Sequence, residues 1–143
     1  MNAAFVHLAL NNFPPILNLV GLCILVGSLS ARSATATRIA LIVLLSAALI
    51  GVPTYLSGQR AQAIVKKVES VNVPAIEPHQ EAALAALVFL IIEAVFVVIA
   101  LIRPRPGLTI AVLIVSILST LTVLYAARLG GHIHHPETQI RNG

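Results

Sequence analysis

Four stretches of the chain, 7–29, 39–56, 82–102 and 108–127, are nearly unbroken runs of apolar residues, and the short segments between them hold most of the charge. About 20 consecutive apolar residues suffice for a helix to cross a bilayer, where only bonds made within the segment can satisfy its backbone. The pattern predicts an all-α fold: a four-transmembrane-helix up-down bundle, one domain over 1–143. The first run has no basic residue ahead of it and no small-residue cleavage pattern behind it, which reads as an integral span rather than a removed signal peptide. Between spans two and three, Ala61, Ile64, Val65, Val68 and Val71 recur at helical spacing, with Lys66, Lys67, Glu69 and Ser70 on the other arc. That is the pattern of a short interfacial amphipathic helix.

Polar residues inside the spans follow stripes. At about 100° per residue, His7, Asn11, Pro14, Asn18, Gly21 and Leu25 share one arc of the first span, and His79, Ala83, Ala86, Leu90, Glu93 and Val97 share one arc of the third. Such stripes are expected to face the bundle interior, because lipid cannot satisfy them. Pro14 and Pro15 should kink the first helix or start a new one. Glu93 is the only carboxylate inside a span. Ionised there, it would cost on the order of 3 kcal/mol by insertion scales, so it is expected to be protonated or bonded to neighbours. Counting about 1.5 Å per residue puts Asn18, Ser46, Glu93, Ser116 and Ser119 at similar depth. This polar cluster is read first as helix–helix adhesion and second as a proton relay.

Composition agrees with a membrane protein: 58% hydrophobic and 10% charged residues, with a mean hydropathy of +0.97, lie outside the soluble globular range. The single cysteine, Cys23, excludes an intrachain disulfide and reads as a small buried hydrophobe. A net charge of +4 does not point to nucleic acid, since the basic residues are scattered and no aromatic platform accompanies them. The expected partner is the lipid bilayer. Segments 30–38 and 103–107 carry Arg32, Arg38, Arg103 and Arg105 and no acid. The positive-inside rule puts them in the cytoplasm, with both termini outside the inner membrane.

Four spans also put all five histidines on one face. His7 starts span one. His79 falls in the first turn of span three, with Glu77 as its expected cap and Pro78 at the first helical position. His132, His134 and His135 follow span four in the stretch LGGHIHHPE. Three readings compete. In the first, two histidines on facing helices hold haem b, with His7 and His79 as axial ligands, His132 or His135 as replacements, and Asn11, Arg60, Lys66 and Arg128 as further contacts. In the second, His7, His79 and His135 bind Zn²⁺ or Cu²⁺, with Glu81 or Glu137 completing the shell. In the third, the histidines are interfacial residues that hold helix ends together. No nucleophile motif or phosphate loop is present, so the chain reads as an electron-transfer or accessory protein rather than a stand-alone enzyme.

The segments HLALNNFPPIL, PTYLSGQRAQ, EPHQEAAL and GGHIHHPE resemble, in the same order, a bacterial four-span family catalogued as domain of unknown function 2231. The resemblance places the family's recurrent positions on His7, Asn11, Pro14, Gly58, Ala61, His79, Glu81, Gly130, Gly131, His135, Pro136 and Glu137. Gln59 and Gln80 depart from it, standing where members often carry acids. Some members look joined to Rieske-type iron–sulfur domains, which implies redox work. The leading expectation is therefore a small b-type cytochrome-like membrane protein, moving electrons between a quinone or membrane partner and a periplasmic redox protein, and able to form homo-oligomers. The alternatives are an accessory or structural subunit of a larger membrane complex, and a zinc- or copper-binding membrane protein.

Overall fold

Each helix starts and stops where local chemistry requires. The computed structural model describes residues 3–66 and 73–134, all helices and turns. The helices are α1 (Ala3–Leu10), α2 (Phe13–Ser30), α3 (Ala34–Val65), α4 (Ile76–Ile102) and α5 (Pro106–His134), with a 3₁₀ turn at Val73–Ala75 before α4. The expected effect of the proline pair is present: the first span is broken at Asn11 and Asn12, and α2 restarts with the prolines in its first turn, where a missing N–H costs nothing.

The corner between α2 and α3 spans three residues. Ser33 N–H donates to Ser28 O (3.0 Å) and Arg32 N–H to Leu29 O (3.2 Å), which is the Schellman closure of a helix end. Arg32 takes the left-handed conformation this closure requires, φ 50°. Ser33 then caps α3, its hydroxyl accepting from Ala36 N–H at 3.3 Å. At the opposite corner, Arg103 leaves the helical conformation (φ −129°, ψ 77°), which the proline after it disfavours, and Pro106 opens α5.

Helices α2 to α5 pack side by side in chain order, α5 closes on α2, and α1 packs on α3. Four helical stretches (Ala3–Ser30, Ala34–Ile64, Val73–Ile102 and Pro106–Ile133) are long and apolar enough to cross a membrane. Their outer faces carry large exposed apolar residues, Leu49, Ile91, Ile114 and Leu121 among them, a surface far larger than water-soluble proteins tolerate. Cys23 belongs to that exposed surface, against the expectation that it is buried.

Two other local expectations are corrected. Residues 61–65 form the last turn of α3 rather than the start of a separate interfacial helix; 67–71 lie outside the described residues. Glu77 is not the cap of α4. The helix begins at Ile76 after Ala75, and Glu77 sits inside the first turn, where its charge meets the positive helix end. Past span four, α5 continues through Gly130 and Gly131 to His134.

The two halves of the chain repeat one plan. Moving along the sequence by the spacing from His7 to His79 carries the buried residues of α2, Pro14, Asn18, Gly21, Leu25 and Ser28, onto Ala86, Leu90, Glu93, Val97 and Ala100 of α4, also buried. The same move carries Ala40, Leu44, Ala47, Ala48 and Gly51 of α3 onto Val112, Ser116, Ser119, Thr120 and Val123 of α5, again all buried. Corner 31–33 maps onto corner 103–105. Even a back-bond recurs, Thr37 to Ser33 O (3.0 Å) and Thr109 to Arg105 O (3.4 Å). The bundle is thus two similar helical hairpins facing each other.

Candidate functional site: a histidine pair in a glycine-notched cavity

The equivalence of the halves brings His7 and His79 together. Their ring centres are 6.4 Å apart and their planes cross at 66°. Each ring is fixed in the same way. His7 Nδ1 lies 3.0 Å from Thr54 O, and His79 Nδ1 lies 2.9 Å from Ala126 O, both across a chain separation of 47. A carbonyl can only accept, so in the neutral ring Nδ1 carries the proton and Nε2 keeps its lone pair. One turn beyond each carbonyl stands a glycine. A Cβ on Gly58 would lie 2.9 Å from His7 Cε1, and one on Gly130 would lie 3.0 Å from His79 Cε1. The imidazoles occupy the notches these glycines leave.

The pair lines a cavity of about 440 Å³ whose walls are mostly small or apolar, including Gly51, Ala83, Ala86, Leu90 and Val123. That volume falls within the range of small-molecule and cofactor sites, roughly 300–1,000 Å³. Asn11 lines it as well, and its Oδ1 is buried without a hydrogen-bond partner. Gln62 of α3 and Gln80 of α4, also in the lining, exchange side-chain bonds of 3.2 and 2.8 Å and tie the two helices together.

The structure brings His7, His79 and Asn11 to this one cavity. It leaves Arg60, Glu81 and Arg128 exposed and outside the lining. Lys66 lines an adjoining recess with Glu77 and Gln80. His132 is half-buried but not in the lining. It stands two positions after Gly130, about 200° around the helix from the side touching His79, and Ile133 faces the cavity instead. His135 and Glu137 lie outside the described residues. Among the described residues, no group of three or more His, Cys, Asp or Glu is placed to hold a metal ion.

Below the cavity, Asn18, Glu93, Ser116 and Ser119 converge as their common depth suggested, joined by Thr120, and all are buried. Thr120 was legible as a partner: it lies one turn after Ser116 on the same arc. Ser46 does not join; its hydroxyl donates to Ile42 O of its own helix at 2.9 Å. The glycine notches escaped sequence reasoning, since a glycine in an apolar helix does not reveal which ring lies opposite.

No protein-family model, curated protein or solved structure matches this chain.

Proposed function

We propose that this chain is a four-span membrane protein that binds haem b between His7 and His79 and serves in electron transfer, with the histidine face outside the inner membrane. The observation that carries the reading is the matched imidazole pair, each ring oriented through Nδ1, each seated against a glycine, with centres 6.4 Å apart. His7 and His79 would hold the haem through Nε2, the nitrogen that each backbone carbonyl leaves unprotonated. The donor type and the small residues lining the cavity beside the rings suit such a group. The chain's resemblance to family 2231, with its Rieske-linked members, supports the same reading.

Haem iron, when bound, supplies one-electron transfer. The chain's own groups do the rest. The Thr54 and Ala126 carbonyls set the ring planes and raise the basicity of each Nε2. The apolar walls lower the local dielectric and limit water, which tunes a redox potential. Asn11 Oδ1 offers an unfilled acceptor at the wall. Arg60 and Arg128, exposed on the same face, provide positive charge for a docking redox protein rather than for the cavity.

A zinc or copper site needs three or four protein ligands, and the described residues supply two at this cavity, so the metal reading ranks below haem. The test is an absorption spectrum of protein purified in lipid nanodiscs. We expect a Soret band with split α and β bands on reduction, lost in both His7→Ala and His79→Ala. An unchanged spectrum in either variant removes that residue as a ligand. A colourless but folded protein rejects the haem reading. If such a preparation carries zinc or copper, the metal reading stands; if it carries neither, the accessory-subunit reading does.

A further inference from the structure

The two hairpins agree in register but differ most in polarity at the depth of Glu93. By the His7-to-His79 spacing, Gly21 corresponds to Glu93, and Leu44, Ala47 and Ala48 correspond to Ser116, Ser119 and Thr120. In the first hairpin this crossing is apolar and tight: a Cβ on Gly21 would lie 2.7 Å from Leu44 Cγ. In the second, the same place holds a carboxyl and three hydroxyls, all buried. The first hairpin is an internal control. It shows that a hairpin's own crossing closes without polar groups, so packing within the second hairpin does not require Glu93.

The hydrogen-bond geometry accommodates two states of the carboxyl. One end of the Asn18 amide lies 3.0 Å from Glu93 Oε2, and the other lies 3.1 Å from Thr120 Oγ1. Thr120 Oγ1 in turn lies 2.7 Å from Ser116 O. As a carboxylic acid, Glu93 donates to Asn18 Oδ1, Asn18 Nδ2 donates to Thr120 Oγ1, and the Thr120 hydroxyl donates to Ser116 O. As a carboxylate, Glu93 accepts from Asn18 Nδ2 with the amide turned over, and Asn18 Oδ1 accepts from the Thr120 hydroxyl. The Thr120 backbone N–H, 3.1 Å from the amide, favours the turned arrangement, while the short bond to Ser116 O favours the other. The buried Ser116 and Ser119 hydroxyls face the carboxyl as further donors, and neither is engaged in a well-aligned bond elsewhere. They are two donors that a carboxylate would use.

The two sides of the cluster differ. Pro14, Leu90 and Val123 line the histidine cavity, and each is about one helical turn from Asn18, Glu93 or Thr120 respectively. On the other side, Leu25, Leu41, Leu44, Val97 and Val112 form a buried apolar plug between the cluster and the arginine corners. No second titratable side chain is among the buried ones of the described residues: α2 faces Glu93 with Asn18, α5 with Ser116, Ser119 and Thr120, and the core of α3 at this depth is leucine and alanine.

We propose that Glu93 is a proton-binding site that exchanges with the histidine cavity and is sealed from the arginine-corner side, with Asn18 and Thr120 as its two-position switch. On release, the Glu93 O–H bond breaks and the proton passes to water in the cavity. The Asn18 amide then turns, and the Thr120 hydroxyl leaves Ser116 O for Asn18 Oδ1. The site answers to the charge of whatever occupies the cavity above it and does not conduct across the bundle. It holds whether or not that occupant is haem.

Infrared difference spectra of the full chain in nanodiscs, taken between acid and alkaline buffers, test this. We expect a carboxylic-acid carbonyl band that disappears on alkalinisation, shifts in D₂O, and is absent from Glu93→Gln, a variant of nearly equal volume. Asn18→Leu, which removes the switch, should displace the midpoint of the titration. Ala86→Phe, which fills the cavity, should slow hydrogen–deuterium exchange of the band. A band that neither titrates nor exchanges would make Glu93 a permanent structural acid and overturn the proposal. So would the lack of any Glu93-dependent band, an unmoved midpoint in Asn18→Leu, or an exchange rate indifferent to Ala86→Phe.

Discussion

Gly58 and Gly130 show how much a single missing methyl group decides. Alanine usually stabilises a helix interior over glycine by about 1 kcal/mol, yet at these two positions the new Cβ would press on the neighbouring imidazole. Overpacking of that kind costs about 1–3 kcal/mol. Gly131 is the control, because a Cβ there meets nothing within 4 Å. We expect Gly131→Ala to raise the unfolding temperature slightly and leave the cavity unchanged. Gly58→Ala and Gly130→Ala should turn the histidine rings and lower the affinity for the cavity's ligand, read by ligand titration alongside thermal unfolding. At this scale the sequence was most legible where a polar residue stood in an apolar run. His7, His79, Asn11, Asn18 and Glu93 are conspicuous because their burial demands partners. Arg60, Glu81 and Arg128 are polar residues near helix ends, where water satisfies them, so their types do not reveal which way they point.

The corner at 31–33 is the clearest case at the scale of elements. A left-handed non-glycine residue costs roughly 1–2 kcal/mol, and Arg32 bears that cost where glycine is usual. Arg32→Gly should stabilise the folded chain by about 1 kcal/mol, measured by thermal unfolding in nanodiscs. Ser33→Ala should destabilise it by about the same amount through loss of the cap. Failure of Arg32→Gly to stabilise would mean that the arginine head makes a compensating contact with lipid headgroups. The helices overrun the apolar runs because hydropathy marks the depth of hydrocarbon, not the end of the backbone hydrogen-bond ladder. With 32 residues, α3 is about 48 Å long, well beyond a hydrocarbon core of about 30 Å. Its last turns, and those of α5 through Gly130, build the cavity wall.

At the scale of the whole molecule, two hairpins of one plan create a site that neither half contains. Each supplies one histidine, and each supplies the carbonyl and glycine that seat it: Thr54 and Gly58 for His7, Ala126 and Gly130 for His79. The repeat was present in the sequence as a matched separation of histidine and glycine, but the side chains between are mostly interchangeable aliphatics, which mask it. The proposed orientation rests on the arginine corners. With Cys23 replaced by serine, a cysteine at Arg105 should react with an impermeant maleimide only from the cytoplasmic side, and a cysteine at Arg60 only from outside. Labelling of both from one side would contradict the crossing, and reversed labelling would invert the proposed topology.

The sequence by itself determined that this chain makes four long apolar helices with polar stripes turned inward, because hydrophobic periodicity and backbone satisfaction in a dry medium leave few alternatives. It also put His7 and His79 at the same end, since an even number of crossings separates like ends. Only the tertiary structure decided that the two rings stand 6.4 Å apart, that His132 faces away from the cavity, and that Glu93 meets Asn18 across the bundle centre. Those outcomes depend on the rotation of each helix about its own axis. Rotation is set by packing between residues distant in the chain, and a shift of one residue changes it by about 100° while leaving the apolar pattern almost unaltered.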